Sequence, residues 1–323
     1  MDLTQFFTAS RVVIVAGKGG VGKTTLTAAF ATGAARLGFS VLTVATDDTG
    51  ALARALNLKP VSDDDPRLGD AEPFESGEIV LTELAPDRTL EAYLNDHALK
   101  RLGDRMARTG MLDLVATATP GVSELLTLGR FRQLAETGAD VVVVDAPAAG
   151  HAISLLRAPA TMAKIAVNGR LKEQADQALE FLGDEARCRV MLVAIPETTP
   201  VNETIETGFA LEEEIGVALA PIIVNRMVSP TPPPVPTAVS LVGQNQIVGQ
   251  DQSPGLVAAA VALDEAIAHL HFRGRWQSIE ADRLAEGLPL PQIRVVEQAN
   301  ISGEELIDQI ARRLTAGVER LTV

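Results

Sequence analysis

The sequence predicts an α/β protein built on a doubly wound, mostly parallel sheet with an inserted helical subdomain. Three observations carry that expectation. Short apolar runs recur at Arg11 to Ala16, Ser40 to Ala45, Glu78 to Leu84, Asp140 to Asp145, Arg189 to Ile195 and Val217 to Val224, with helix-like segments between them. Several are continuously β-branched, notably Val141 to Val144, the pattern of strands covered on both faces. Roughly fifty-five mainly helical residues separate the third run from Asp140, far more than the dozen or so a simple crossover needs.

Taken in order, the first run ends in a glycine-rich turn that leads into a helix, and the second ends just before Asp47. After the third run come Thr89 to Arg108, Met111 to Thr117, and a helix that starts past Pro120-Gly121 and reaches Leu134. A second helical stretch, Thr161 to Leu182, is expected to pack with these. The reading is a single domain over 1–323, with 88–137 and 158–184 forming the helical subdomain. Residues 229–255 hold Pro230, Pro232, Pro233, Pro234 and Pro236, which lack backbone donors and forbid regular pairing, so a flexible loop is expected there. A long helix from Pro254 towards Gly287, a short extended piece at Ile293 to Val296, and a final helix from Ser302 to Leu314 complete the chain.

Composition narrows the function. With 46% hydrophobic and 22% charged residues among 323, the chain has the make-up of an ordinary soluble globular protein. No apolar stretch approaches the ~20 residues of a spanning helix, so no stable membrane insertion is expected. The N-terminus shows no basic flank of a secretory signal, which points to a cytoplasmic protein. Cys188 stands alone and cannot form a disulfide, an iron-sulfur cluster or a four-thiolate zinc site within one chain. The formal charge of −14, with Asp63, Asp64, Asp65, Asp70, Glu72, Glu75 and Glu78 close together, argues against nucleic acid as a ligand.

Directly after the first run lies GKGGVGKTT, Gly17 to Thr25, which satisfies the G-x-x-x-x-G-K-[ST] pattern at Gly17, Gly22, Lys23 and Thr24. Glycines let successive N–H groups converge on a phosphate, and the helix that follows aims its positive end at the same point. Lys23 is placed to reach the β- and γ-phosphates, and the Thr24 hydroxyl to reach Mg²⁺. The fold expected is therefore of the P-loop NTPase type, with ATP and Mg²⁺ as ligands. Lysine is scarce, six residues against 22 arginines, yet a second one, Lys18, sits inside this loop and invites a separate role. Asp47 and Asp145 each follow an apolar strand, where a doubly wound sheet puts its ligand; either also suits a helix N-cap.

KGGVGKTT, with its extra lysine, resembles the deviant Walker A motif of the ParA, MinD, nitrogenase-iron-protein and ArsA/Get group of dimeric ATPases. PGVSELLTLGRFRQLAE at Pro120 to Glu136 and VVVVDAPAAGHAISLLRAP at Val141 to Pro159 look like the ArsA/Get-type branch, which includes arsenite-pump ATPases and ATPases that target tail-anchored membrane proteins. The resemblance implies an ATP hydrolase in which ATP closes a dimer and moves a client-binding helical subdomain. It implies that Lys18 crosses the interface to the partner's nucleotide, while Gly17, Gly19, Gly20, Val21, Gly22, Lys23, Thr24 and Thr25 hold phosphates and Mg²⁺ within their own subunit. It also implies that Asp47 orients the attacking water, Asp145 holds Mg²⁺ through water, Gly150 senses the γ-phosphate, His151 passes that state on, and Asn225 reads adenine.

The chain departs from the family at three places, one of them DAPAAGH at Asp145 to His151, where the family's usual order is D-T-A-P-T-G-H. Asp47 is followed by Asp48, Thr49 and Gly50 where the family has a proline and a histidine, and the cysteine pairs that hold zinc or arsenite are missing. The partner is expected to be a second copy or a paralogue, with an unidentified client protein. The alternative is a weakly active or inactive nucleotide-binding scaffold that pairs with an active paralogue.

Overall fold

The computed structural model describes residues 3–46, 50–62, 65–69, 73–84, 121–166, 168–228, 254–298 and 301–321, without the side chains of 149, 254–260 and 321. Seven strands form one sheet: β1 (Val12–Gly17), β2 (Val41–Ala45), β3 (Ile79–Glu83), β4 (Val141–Asp145), β5 (Cys188–Ala194), β6 (Ile222–Met227) and β7 (Gln292–Val296). Their order is β3-β2-β4-β1-β5-β6-β7, and every pairing is parallel. The chain winds outward from β1 first through β2 and β3, then through β5, β6 and β7. The order therefore reverses at β1, whose carboxyl end is where such a sheet binds its ligand.

Alternation along β1 explains the two layers. Val13 and Val15 join one buried cluster and Val12 and Ile14 the other. The first cluster is covered by α1 (Leu3–Thr8), α2 (Lys23–Arg36), α3 (Ala51–Leu56) and α9 (Gly303–Leu321). On α1, Phe6 and Phe7 meet Phe30 of α2 with ring centroids 5.6 and 4.8 Å away. The second cluster is covered by α4 (Val122–Leu134), α5 (Ala149–Ile165), α6 (Arg170–Gly183), α7 (Thr198–Phe209) and α8 (Pro254–Gly287). Of the segments read as a helical subdomain, 88–120 lies outside the described residues. The parts described, α4 and α6, lay Phe131 and Phe181 into the same core as Ile14 and Val144. Of the proline-rich segment 229–255, residues 229–253 likewise lie outside the described residues, and 254–255 begin α8.

Three boundaries differ from the sequence expectation. The sixth strand begins at Ile222 rather than Val217, because Pro221 has no N–H to offer; Leu219 makes only an isolated bridge to Val190. The stretch Thr161 to Leu182 is the end of α5 and the whole of α6, separated at Gly169, which has φ 92°. The extended piece near Ile293 is a seventh ladder strand paired to β6. Among the described residues no helix is long and apolar enough to cross a membrane.

An ion cluster before β3 makes acid stability testable. Arg67 lies 2.8 Å from Asp65 and 2.7 Å from Glu78, and its hydrogen bonds hold the Asp65 carboxyl down at about 2, from an ordinary 3.8. A depressed carboxylate stabilises the fold fully above its unfolded value and stops doing so as pH falls through the folded one. The contribution, about 1–2 kcal/mol, is therefore expected to vanish between about pH 4 and pH 2. Urea midpoints measured across that range should fall less steeply for Asp65→Asn than for the native chain; parallel curves would refute the assignment.

Candidate functional site

The loop between β1 and α2 collects the residues of the phosphate-binding pattern at the carboxyl end of the central strand. Gly17 closes β1, residues 18–22 form the turn, and Lys23, Thr24 and Thr25 open α2. Gly20 and Gly22 take φ 84° and 97°, and Gly22 leaves no room for a side chain: a Cβ there would lie 2.5 Å from the Asn225 amide nitrogen. Successive N–H groups at this turn and at the first turn of α2 make an anion cradle. The Lys23 ammonium folds back within it and donates to the Lys18 carbonyl at 3.3 Å.

Asp145 ends β4, the strand beside β1, and lies opposite Val15 in the ladder. Its side chain is 6% exposed, and the buried Thr27 hydroxyl on α2 donates to its Oδ1 at 3.4 Å. Thr46, just past β2, donates to the Asp145 carbonyl at 2.6 Å. Register and these bonds set a carboxylate at the strand end neighbouring the cradle. Gly150 and His151 fall in the first turn of α5, and both are exposed. An open groove of about 530 Å³ brings Gly150 together with Lys18 and Gly19, and is also lined by Arg157, Glu203 and Glu214. Asp47, with Asp48 and Thr49, lies outside the described residues.

Lys18 does not point into open water. Its ammonium pairs with Glu203 on α7 at 2.6 Å, both side chains being about two-fifths exposed. Asn225 is 6% exposed and its amide donates to the Val21 carbonyl at 2.9 Å, so its first contact is with the phosphate loop; its Oδ1 has no hydrogen-bond partner among the described residues.

The backbone behind Asn225 is held in an uncommon state. Arg226 has φ 57°, and the β6–β7 ladder slips between Val224 and Met227. A non-glycine residue in that region persists only where its surroundings hold it. Gln277, buried on α8, supplies the hold: it accepts from the Val228 N–H at 2.6 Å and donates to the Arg226 carbonyl at 3.2 Å. Helix α8 is thus tied to the strand that carries Asn225. Below Gln277, Glu280 accepts from the Thr198 hydroxyl at 2.9 Å and from Arg283 at 2.6 Å, while Arg283 reaches Asn202 on α7 at 2.5 Å. Sequence reasoning missed Thr27, Thr46, Glu203 and Gln277. Their partners are dozens to hundreds of positions away, so no local spacing announces them.

The arrangement suits a triphosphate with a divalent cation: N–H groups of a glycine-rich turn and a helix start, a lysine ammonium within that turn, and a buried carboxylate one strand away. The comparisons agree. The sequence profile of the family described as anion-transporting ATPase matches residues 10–174, about half of the chain. The ATPase BagA of Mycobacterium tuberculosis (strain ATCC 25618 / H37Rv) is 26% identical over 266 residues, covering 79% of this chain and 76% of that one. An arsenical pump-driving ATPase of Escherichia coli is 32% identical over 204 residues, 62% of this chain but 32% of that protein. The ATPase get3 of Pyrenophora tritici-repentis (strain Pt-1C-BFP) is 30% identical over 213 residues, 64% of this chain and 59% of that one.

Proposed function

The chain belongs to the anion-transporting ATPase family, and from that premise we propose that it is a cytoplasmic, dimeric, Mg²⁺-dependent ATP hydrolase whose nucleotide cycle grips and releases a client protein. The observation that carries the reading is the cradle between β1 and α2 with Asp145 buried beside it.

In this reading the loop N–H groups bind the phosphates, and Lys23 leaves the Lys18 carbonyl for the β- and γ-phosphate oxygens. Asn225 keeps its amide on Val21 and offers Oδ1 to the 6-amino group of adenine. Thr24 and Asp145 are the residues that would hold Mg²⁺, the latter through water, and the buried carboxylate with its Thr27 partner fits that task. When held by these residues, Mg²⁺ would supply charge neutralisation at the phosphate oxygens. Asp47 orients the attacking water. Lys18 exchanges Glu203 for the phosphates of the partner's nucleotide, at small cost because exposed ion pairs are worth about 0–1 kcal/mol. Loss of the γ-phosphate relaxes the segment from Asp145 to His151, and α5 carries that change to α4, α6 and the client. Cys188 is the lone cysteine, so arsenite held by a set of thiols is not part of the proposal.

The run Asp47, Asp48, Thr49, Gly50 favours one rival, a nucleotide-binding scaffold that turns over slowly or not at all without an active paralogue. Phosphate release by the purified chain decides between them. The hydrolase reading expects steady release from ATP that stops with excess EDTA and in Lys23→Ala. Release only after a paralogue is added supports the scaffold, and failure to bind ATP at all sinks both.

A further inference from the structure

We infer that Gln277 is a positioning residue for base selection: by clamping the backbone just past Asn225, it fixes the side-chain oxygen that separates a 6-amino purine from a 6-oxo purine. The inference rests on the adenine contact proposed above for Asn225 and adds the residue on which that contact depends.

The ladder pairs Val224 with Arg294 and Met227 with Val296, so Asn225 and Arg226 together stand opposite Val295 alone. Such a bulge puts an extra residue into one strand and re-aims the side chains beside it. Arg226 supplies that residue with φ 57°, a state that side chains other than asparagine and aspartate seldom take without support. Its own side chain is exposed, so no packing over it keeps the backbone there. The hold comes from the polar groups that follow. The Gln277 amide donates to the Arg226 carbonyl at 3.2 Å and accepts from the Val228 N–H at 2.6 Å. Gln277 is 4% exposed and lies on the side of α8 that buries Ala281, Leu284 and Leu288, so the clamp is anchored on a packed helix face.

What the bulge aims is Asn225. Val224 and Met227 belong to one buried cluster and Ile223 to the other, and Asn225, on the Ile223 side, reaches the phosphate loop. Its Nδ2 is committed to the Val21 carbonyl at 2.9 Å, which leaves Oδ1, an acceptor only, for a ligand. An acceptor fixed in one place takes a bond from a 6-amino group and repels a 6-oxo oxygen. A site built to hydrogen-bond one group rejects the analogue lacking it far more strongly than an apolar pocket can. Were the clamp released, Arg226 would relax towards ordinary strand geometry, and the two-against-one register would slip. Oδ1 would then lose its place while the loop N–H groups kept the phosphates. Recognition of the base edge and of the diphosphate are therefore separable, and Gln277 acts on the first.

The test measures, by calorimetry on the full chain, binding of ADP and of inosine diphosphate, which carries an oxygen in place of the 6-amino group. The native chain should prefer ADP at least about tenfold, and Asn225→Ala should bring the two nearly level. Gln277→Met, similar in length but without the amide, should weaken ADP at least about fivefold and leave inosine diphosphate within about twofold. In that background Arg226→Gly, which takes a positive φ without strain, should return the preference to within about twofold of native. Should Gln277→Met fail to fold, Gln277→Asn keeps an amide one methylene too short to span both partners, and the same selective loss is expected. A folded Gln277 variant with the native preference would overturn the inference. So would equal weakening of both nucleotides, which marks a support of the whole loop, and so would failure of Arg226→Gly to recover any preference. A native chain that binds the two equally, or binds neither, instead removes the adenine reading, and this inference with it. Because only binding is read, no outcome turns on whether the chain hydrolyses ATP.

Discussion

Lys18→Ala and Asp47→Asn are each expected to release phosphate at least about 100-fold more slowly than the native chain, and an equimolar mixture of the two to recover about a quarter of native activity. The single losses follow from phosphoryl transfer, which asks the protein for positive charge near the leaving oxygen and for water held in line. Recovery follows from geometry. In a mixed dimer, the nucleotide bound by the Lys18→Ala subunit still has its own Asp47 and receives Lys18 from the other subunit, which completes one site of two. Random pairing makes half of the dimers mixed, hence the fraction. Lys18 already sits at the rim of the loop on an exposed ion pair, so nothing buried has to break for it to cross. Should the mixture stay inactive despite proven subunit exchange, the lysine acts within its own subunit, and Glu203 is then its working partner.

The second large effect is on stability. Gly17→Val is expected to lower the unfolding free energy by about 3 kcal/mol or more. Gly17 lies opposite Val193 in the ladder, and a Cβ added to it would sit 2.4 Å from the Val193 carbonyl oxygen. β1 and β5 are central, and their facing residues are buried, so neither backbone can withdraw without disturbing both layers. The matched control is Gly19→Ala two residues later, where an added Cβ meets nothing within 4 Å and the change should stay within about 0.5 kcal/mol. Urea unfolding of both variants checks the contrast. Equal stability of Gly17→Val and the native chain would contradict the close approach of the strands.

Both effects concern a loop that the sequence announces openly, and the reason is physical. Phosphate binding by backbone N–H groups needs glycine at fixed steps, and buried parallel strands need unbroken β-branched runs, so the loop and five of the strands stand out by residue type alone. Where a local feature competes with apolar character, the reading drifts. Pro221 interrupts the run from Val217 and delays β6 to Ile222, and Gly169 parts what periodicity joins into one helix. α1 escaped notice because six residues are too few to show a period, although its two phenylalanines anchor a layer. The supports of the site were illegible for another reason. Glu203 lies 185 positions from Lys18 and Gln277 lies 49 from Val228, and only the folded sheet brings such residues together. The resemblance implies an adenine contact for Asn225, while in the fold its amide pins the loop, a bond that depends on Gly22 lacking a Cβ.

Cys188 opens a practical route into this molecule. It is fully buried at the start of β5, and burial pushes its thiol up to about 12. At neutral pH it offers labelling reagents neither access nor thiolate. A cysteine introduced on the surface, at Glu265 for example, would carry a dye or spin label alone in an otherwise native background.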